Sequence, residues 1–224
     1  MSYREKWLDS AKGFAILLVV LGHTFRGYTS ANMYSNMENI WKYIDFTIYS
    51  FHMPLFFIIS GYVYNKFSTL KNIKEYPRFI LKKFLNLIIP YFIFCSIQLG
   101  IKIILDGSTN SGASIKDILL LPIYPKEQFW FIYTLFFIFM FIPILDLKIK
   151  NKKAILITLF ILKIALIFFN PQIFAISSVM DWAFYFYIGC ILEEVRFNKI
   201  PSTFLLVVYL ILNIFIYKFN IIDN

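Results

Sequence analysis

Charge is what this sequence has least of. Only 16% of the 224 residues are Asp, Glu, Lys or Arg, against about 25% in a soluble domain. By contrast 59% are hydrophobic, and Phe alone occurs 27 times. Surface-to-volume scaling leaves a globule of this size too little interior to hide so much apolar side chain. A soluble domain is therefore excluded, and a bilayer has to supply the apolar surroundings. Cysteine is equally sparse. Cys95 and Cys190 each sit in an apolar run, and neither belongs to a CxxC pair or has a Cys or His neighbour at metal-ligand spacing. No metal site is expected, and both read as small buried hydrophobes. A small-residue cleavage site is missing too. The apolar run after Arg4 and Lys6 leads into Gly22-His23-Thr24-Phe25, which predicts a retained first helix rather than a cleaved signal.

What is present is a series of long apolar runs. Seven stretches come close to the roughly 20 residues a span needs, at about 13–29, 46–64, 84–105, 129–146, 154–169, 173–192 and 202–219. They are continuously apolar, whereas a membrane β-barrel would alternate. Backbone groups in lipid must be satisfied internally, so the expected fold is all-α: a polytopic transmembrane helix bundle of about seven spans, one domain over residues 1–224. With the N-terminus in the cytoplasm, the inner segments hold Arg4, Lys6 and Lys12, then Lys66, Lys71, Lys74, Arg78, Lys82 and Lys83. They also hold Lys148, Lys150, Lys152, Lys153, Arg196 and Lys199, whereas the outer segments hold only Arg26, Lys42, Lys116 and Lys126. This bias predicts a cytoplasmic N-terminus. The formal charge of +9 is thus divided among short loops facing anionic membrane lipid, and a nucleic-acid partner is not expected. The longest outer loop, about 106–127, is rich in Gly, Ser, Thr, Asn and Pro and reads as irregular.

Ionisable residues inside spans carry the functional information, because each is costly unless satisfied. Lys12 and His23 lie eleven residues apart, close to three helical turns, which puts them on one face with a separation of about 16 Å. Asp9 stands beside Lys12 on the same helix. His23 reads either as an interhelical hydrogen-bonding group or as a general base able to work near neutral pH. The second run brings Asp45 and His52 onto one face, with Pro54 expected to distort the helix and Ser60-Gly61 to permit close helix approach. Further on, Lys163 and Asp181 fall in consecutive runs joined by the tight turn Asn170-Pro171-Gln172. At similar depth they would relieve each other's burial cost as an ion pair.

The motifs themselves are recognisable. Trp7-Leu8-Asp9, Lys12-Gly13 and Val19-Val20-Leu21-Gly22-His23 resemble the first-helix motif of the membrane acyltransferase-3 family. Phe51-His52-Met53-Pro54-Leu55-Phe56-Phe57-Ile58-Ile59-Ser60-Gly61 closely resembles its second-helix signature. Phe129-Trp130-Phe131-Ile132-Tyr133 and Tyr185-Phe186-Tyr187-Ile188-Gly189 are similar to later, weaker segments. The branch that these resemble is fucose 4-O-acetylase-like.

The resemblance implies transfer of an acetyl or other acyl group from cytoplasmic acyl-CoA to a hydroxyl of a glycan or lipid-linked saccharide, in a bacterial cytoplasmic membrane. Acetyl-CoA is then a donor substrate, and no bound cofactor is implied. On this reading His23 is catalytic, with Lys12 and Asp9 at the inner mouth of its helix. His52, Ser60, Gly61 and Trp130 shape the substrate site, and His52 is the second candidate base, unless Asp45, seven residues earlier on the same face, simply holds it. The family's Arg-x-x-Arg motif is matched by Lys83 with Asn86 in the second basic position. Lys lacks the guanidinium fork, so the donor phosphates would meet Arg78, Lys82 and Lys83 as a cluster of point charges. Family members run well past 300 residues, which implies that about the last third is missing. Two alternatives stand beside acyl transfer: a transporter of a proton or small solute, and a truncated, inactive acyltransferase.

Overall fold

The computed structural model describes residues 5–31, 38–105, 112–169, 171, 173–192, 209, 211, 213 and 214. Among them the only regular structure is helical. The helices are α1 (Lys6–Ser30), α2 (Glu38–Phe67), α3 (Tyr76–Lys83), α4 (Ile89–Ile104), α5 (Ile115–Leu119), α6 (Trp130–Lys148), α7 (Lys152–Phe168) and α8 (Phe174–Ile191). Five helical stretches are long and apolar enough to cross a membrane: Lys6–Tyr28, Ile40–Phe67, Ile73–Ile104, Trp130–Lys148 and Phe174–Ile191. The chain is a multi-pass membrane protein.

Of the seven expected spans, five are these stretches, and two stand apart. The fifth run forms α7, whose 17 residues reach only about 25 Å at 1.5 Å per residue, short of the roughly 30 Å hydrocarbon core. The seventh run, 202–219, lies largely outside the described residues, as do Arg4, Arg196, Lys199, Asn170 and Gln172.

The stretch 65–83, expected as a loop, is helical from Ile73 onward. Asn72 starts it, its side-chain oxygen accepting from the Lys74 amide at 3.0 Å, and Pro77 follows in the first turn of α3, where a missing N–H costs nothing. Between α3 and α4 the chain makes a π turn over Phe84–Ile88, with the Ile89 amide donating to the Phe84 carbonyl. Pro90 is the cause. It has no N–H to offer Asn86, and its ring would clash with that carbonyl in a regular helix.

The outer loop also carries structure that composition hid. The sequence Ser114-Ile115-Lys116-Asp117 is a capping box, in which Asp117 Oδ2 accepts from the Ser114 amide at 2.8 Å and its hydroxyl at 3.1 Å, and α5 follows. Tyr91 and Tyr133 donate to the carbonyls of Leu121 and Pro122 at 2.9 and 2.8 Å, which pins the loop to α4 and α6.

α1 and α2 are antiparallel. At the end rich in Lys, Glu5 accepts from Tyr62 at 2.8 Å and pairs with Lys66; at the far end Arg26 pairs with Asp45 at 3.0 Å. The core lies between α2, α6 and α8, around Phe57, Ile138, Phe186 and Tyr187, each fully buried. α2 and α8 touch backbone to backbone. A Cβ on Gly61 would overlap the Phe186 carbonyl, and a Cβ on Gly189 would overlap the Ile58 carbonyl. This is close approach through small residues, as Ser60-Gly61 led one to expect. Cys190 donates to the Gly61 carbonyl at 3.5 Å, and both cysteines are free and buried. Asp146 near the basic end of α6 accepts from Tyr64 at 3.0 Å and Tyr187 at 2.9 Å, joining the same three helices. Lys163 of α7 pairs with Asp181 of α8, as their positions in consecutive runs suggested.

Candidate functional site

Near the far end, α1, α2 and the start of α6 enclose a cavity of about 410 Å³ whose lining includes His23, Arg26, Tyr49, His52, Gln128 and Trp130. Volumes from 300 to 1,000 Å³ are typical of small-molecule sites. The two histidines of the chain meet here, brought from separate helices. His52 is 1% exposed, and its Nδ1 donates to the Ile48 carbonyl at 2.7 Å. That bond leaves the lone pair of the neutral ring on Nε2. His23 is more open, and its Nδ1 lies 3.4 Å from the Tyr49 hydroxyl.

Tyr49 is the centre of the arrangement. Its ring meets the His52 ring edge-on at a centroid distance of 4.7 Å and the His23 ring at 6.0 Å. The Arg26 guanidinium lies over the Tyr49 ring, 3.5 Å from its centroid, with Asp45 on its other side at 3.0 Å. Asp45 was expected to hold His52; the structure gives it to Arg26 instead, because the fork on α1 reaches the carboxylate and His52 finds a carbonyl on its own helix. The backbone that carries Tyr49 is braced from the opposite side. Asn213 donates to Ser50 Oγ at 2.8 Å and accepts from Thr47 Oγ1 at 2.9 Å, while Tyr209 donates to the Thr47 carbonyl at 3.0 Å.

The other expected site residues are dispersed. Trp130 lines the cavity; Ser60 and Gly61 lie outside its lining, Gly61 being filled by the α8 backbone. Lys12 and Asp9 sit on α1 toward the basic end, Lys12 about 16 Å from His23 along the axis. Arg78 and Lys82 are exposed on α3. Lys83 is turned inward, its ammonium 3.7 Å from the Phe139 ring centroid, an attraction worth about 0.5–2 kcal/mol. Of the three basic residues expected at the donor, two therefore face outward together and the third packs on the core.

Arg26, Tyr49 and Gln128 were missed by sequence reasoning. The first two were within reach: Arg26 follows His23 by three positions and Tyr49 precedes His52 by three, spacings that place side chains on one helix face. Gln128 was not, since it arrives through the 3₁₀ turn Glu127–Phe129 and a reciprocal amide pair with Gln98, at 3.1 and 3.4 Å.

Helix bundle, paired histidines and motif order together define a membrane acyltransferase-type protein. Comparison with known sequences agrees: the family model described as an acyltransferase domain matches residues 5–222, and the chain belongs to that family. Among curated proteins it is similar to nodulation protein NolL of Mesorhizobium japonicum, 28% identical over 187 residues covering 82% of this chain and 46% of that protein. NolL of Sinorhizobium fredii is 36% identical over 95 residues, 42% of this chain and 24% of that protein. The inner membrane protein YcfT of Escherichia coli is 33% identical over 73 residues, 30% of this chain and 20% of that protein. In each case the match spans less than half of the relative's length. No solved structure matches.

Proposed function

We propose that this chain transfers an acyl group, most simply acetyl, from acyl-CoA to a hydroxyl of a glycan or lipid-linked saccharide, in a bacterial cytoplasmic membrane. The observation that carries this reading is the convergence of His23 and His52 on one cavity in a chain of the acyltransferase family. In the reaction the acceptor oxygen attacks the thioester carbonyl carbon while neutral His23 takes the hydroxyl proton. The tetrahedral intermediate collapses, the C–S bond breaks, and the imidazolium returns its proton to the departing thiolate. Proton transfer of this kind contributes about 10²–10⁴-fold. Arg26 and Tyr49 orient His23. A second assignment gives the base role to His52, favoured by the Ile48 bond that fixes its tautomer.

The Lys-rich loops support a cytoplasmic donor side. The pantetheine arm of CoA would enter from the end that carries Asp9 and Lys12 and cover the 16 Å or so to His23, with Arg78 and Lys82 available to its phosphates. The acceptor would approach from the far end.

The test uses membranes expressing the chain, acetyl-labelled acetyl-CoA and an extracted pool of cell-surface glycan. Base-labile label in the glycan, lost in His23→Ala, is the expected result. Label unaffected by His23→Ala but lost in His52→Ala moves the base role to His52. Solute flux with no labelled glycan from folded protein would replace acyl transfer by transport.

A further inference from the structure

Trp130 borders more than the histidine cavity. On its other side lies a second cavity of about 400 Å³ formed with Ser177, Ser178, Asp181 and Trp182 of α8, and Asp181 in turn borders a third, of about 390 Å³, with Lys163. All three lie toward the same end of the bundle, because α6 and α8 begin there and His23 and His52 occupy that half of their helices. The second cavity joins three features that differ chemically. Trp130 and Trp182 stand 5.4 Å apart at 46°, and Trp182 is backed by Phe57 stacked at 5.0 Å, so the indoles make a firm angled wall. Asp181 supplies a carboxylate whose charge is balanced by Lys163. Ser177 and Ser178 line it too, their hydroxyls donating to the Phe174 and Ala175 carbonyls at 3.1 and 3.3 Å and leaving the oxygens as acceptors.

From this we infer that the cavity between Trp130 and Trp182 is a saccharide subsite, which holds the acceptor sugar ring adjoining the one that reacts; the inference rests on the glycan-acceptor reading above. A sugar ring has apolar C–H faces and a hydroxyl rim. An aromatic wall buries the first, while a carboxylate and two serine oxygens accept from the second. A lipid tail would match the indoles but would gain nothing from the carboxylate and the serine oxygens that line the same cavity. Trp130, shared by the two cavities, then separates the reacting ring, beside the histidines, from its neighbour, beside Asp181. The specificity of the protein for its acceptor resides on α8, away from the motifs that carry the chemistry.

The experiment reads binding and transfer separately. The purified chain in lipid nanodiscs is titrated with a panel of neutral and N-acetylated trisaccharides, with tryptophan fluorescence as the signal. Wild type should give a saturable change with at least one of them. Ser177→Val, at a half-buried position, and the paired substitution Lys163→Met with Asp181→Asn should each raise the dissociation constant about tenfold, while exposed Ile104→Ala should not. Matched melting temperatures establish that the variants are folded. No saccharide binding by wild type, or equal binding by the variants, overturns the subsite. Binding with this pattern in a protein that transfers no acetyl group keeps the subsite and removes the acyl-transfer reading. Transfer whose acceptor KM is indifferent to the α8 substitutions removes the subsite and keeps acyl transfer.

Discussion

Gly61 and Gly189 each occupy the space against which the partner helix rests its backbone. Gly61 meets the Phe186 carbonyl and Gly189 meets the Ile58 carbonyl, so a single methyl group at either position has nowhere to go and no flexible side chain to displace. Gly61→Ala should therefore separate α2 from α8 and cost at least about 3 kcal/mol, at the upper end of overpacking effects. Gly13, with nothing within 4 Å of its absent Cβ, is the internal comparison. Gly13→Ala should stabilise by up to about 1 kcal/mol through helix propensity alone. Melting in detergent micelles measures both, and an Ala at Gly61 that melts with wild type would mean the helices cross elsewhere.

The Lys163–Asp181 pair joins α7 to α8 and leaves either partner costly when alone. Asp181→Asn and Lys163→Met should each lower the amount of folded protein in the membrane, by up to about 3 kcal/mol of stability. The double substitution should recover most of the loss, since it removes both charges together. Quantifying folded protein by fluorescence-detected size exclusion distinguishes coupling from simple addition.

Around the histidines the sharpest contrast is between Arg26→Lys and Arg26→Ala. Lysine preserves charge toward Asp45 but not the flat surface that lies over Tyr49. If that stacking orients Tyr49 and through it His23, Arg26→Lys should lose about tenfold in kcat with acceptor KM little changed. His23→Ala should lose about 10²–10⁴-fold. Kinetics of labelled acetyl transfer measure each, and an Arg26→Lys enzyme with wild-type kcat would assign Arg26 to charge balance only.

Acid should loosen one specific contact. Hydrogen bonds from Lys66 and then Tyr62 hold the Glu5 carboxyl below the ordinary carboxylate range. A lowered value in the folded chain means that the contact contributes at pH above the unfolded carboxyl's own titration and is lost as pH falls through the folded value. The melting temperature should thus drop as pH falls below the ordinary carboxylate range, and Glu5→Gln should flatten part of that drop. Asp117, lowered by its bonds to Ser114 and Lys126, titrates in the same window and accounts for another part. A Glu5→Gln profile that parallels wild type would detach the end of α1 from this behaviour.

The helical fold and the meeting of His23 with His52 follow from features that are strong in the sequence: continuous apolar runs, and two motifs whose polar residues recur at helical spacing. Gly61 and the Lys163–Asp181 pair were legible for the same reason, since small residues and charges stand out in lipid. What escaped were effects of a single residue on a boundary. Pro90 turns Phe84–Ile88 into a π segment, and Asn72 starts a helix inside a stretch whose lysines read as a loop. Asp45 was assigned to the wrong partner because its own helix offers His52 at a helical spacing, whereas Arg26 comes from a neighbouring helix whose rotation no spacing rule specifies. Lys83 looked like its neighbour Lys82, and only packing reveals that one of them lies against Phe139.

The backbone seam between α2 and α8 has a mechanical meaning. It joins the two helices into one stiff plate, and His52 is mounted on that plate together with the Trp182 wall. α1 leans on the same plate through side chains: a Cβ added at Gly22 would meet side-chain atoms of Ile48 and Tyr49 at 3.1 Å, not backbone. Two helices that touch through their main chains cannot slide without breaking the fit, whereas side chains can change rotamer. The gap between the two imidazoles is therefore set by how α1 leans, and Tyr49 is the bearing on which it turns.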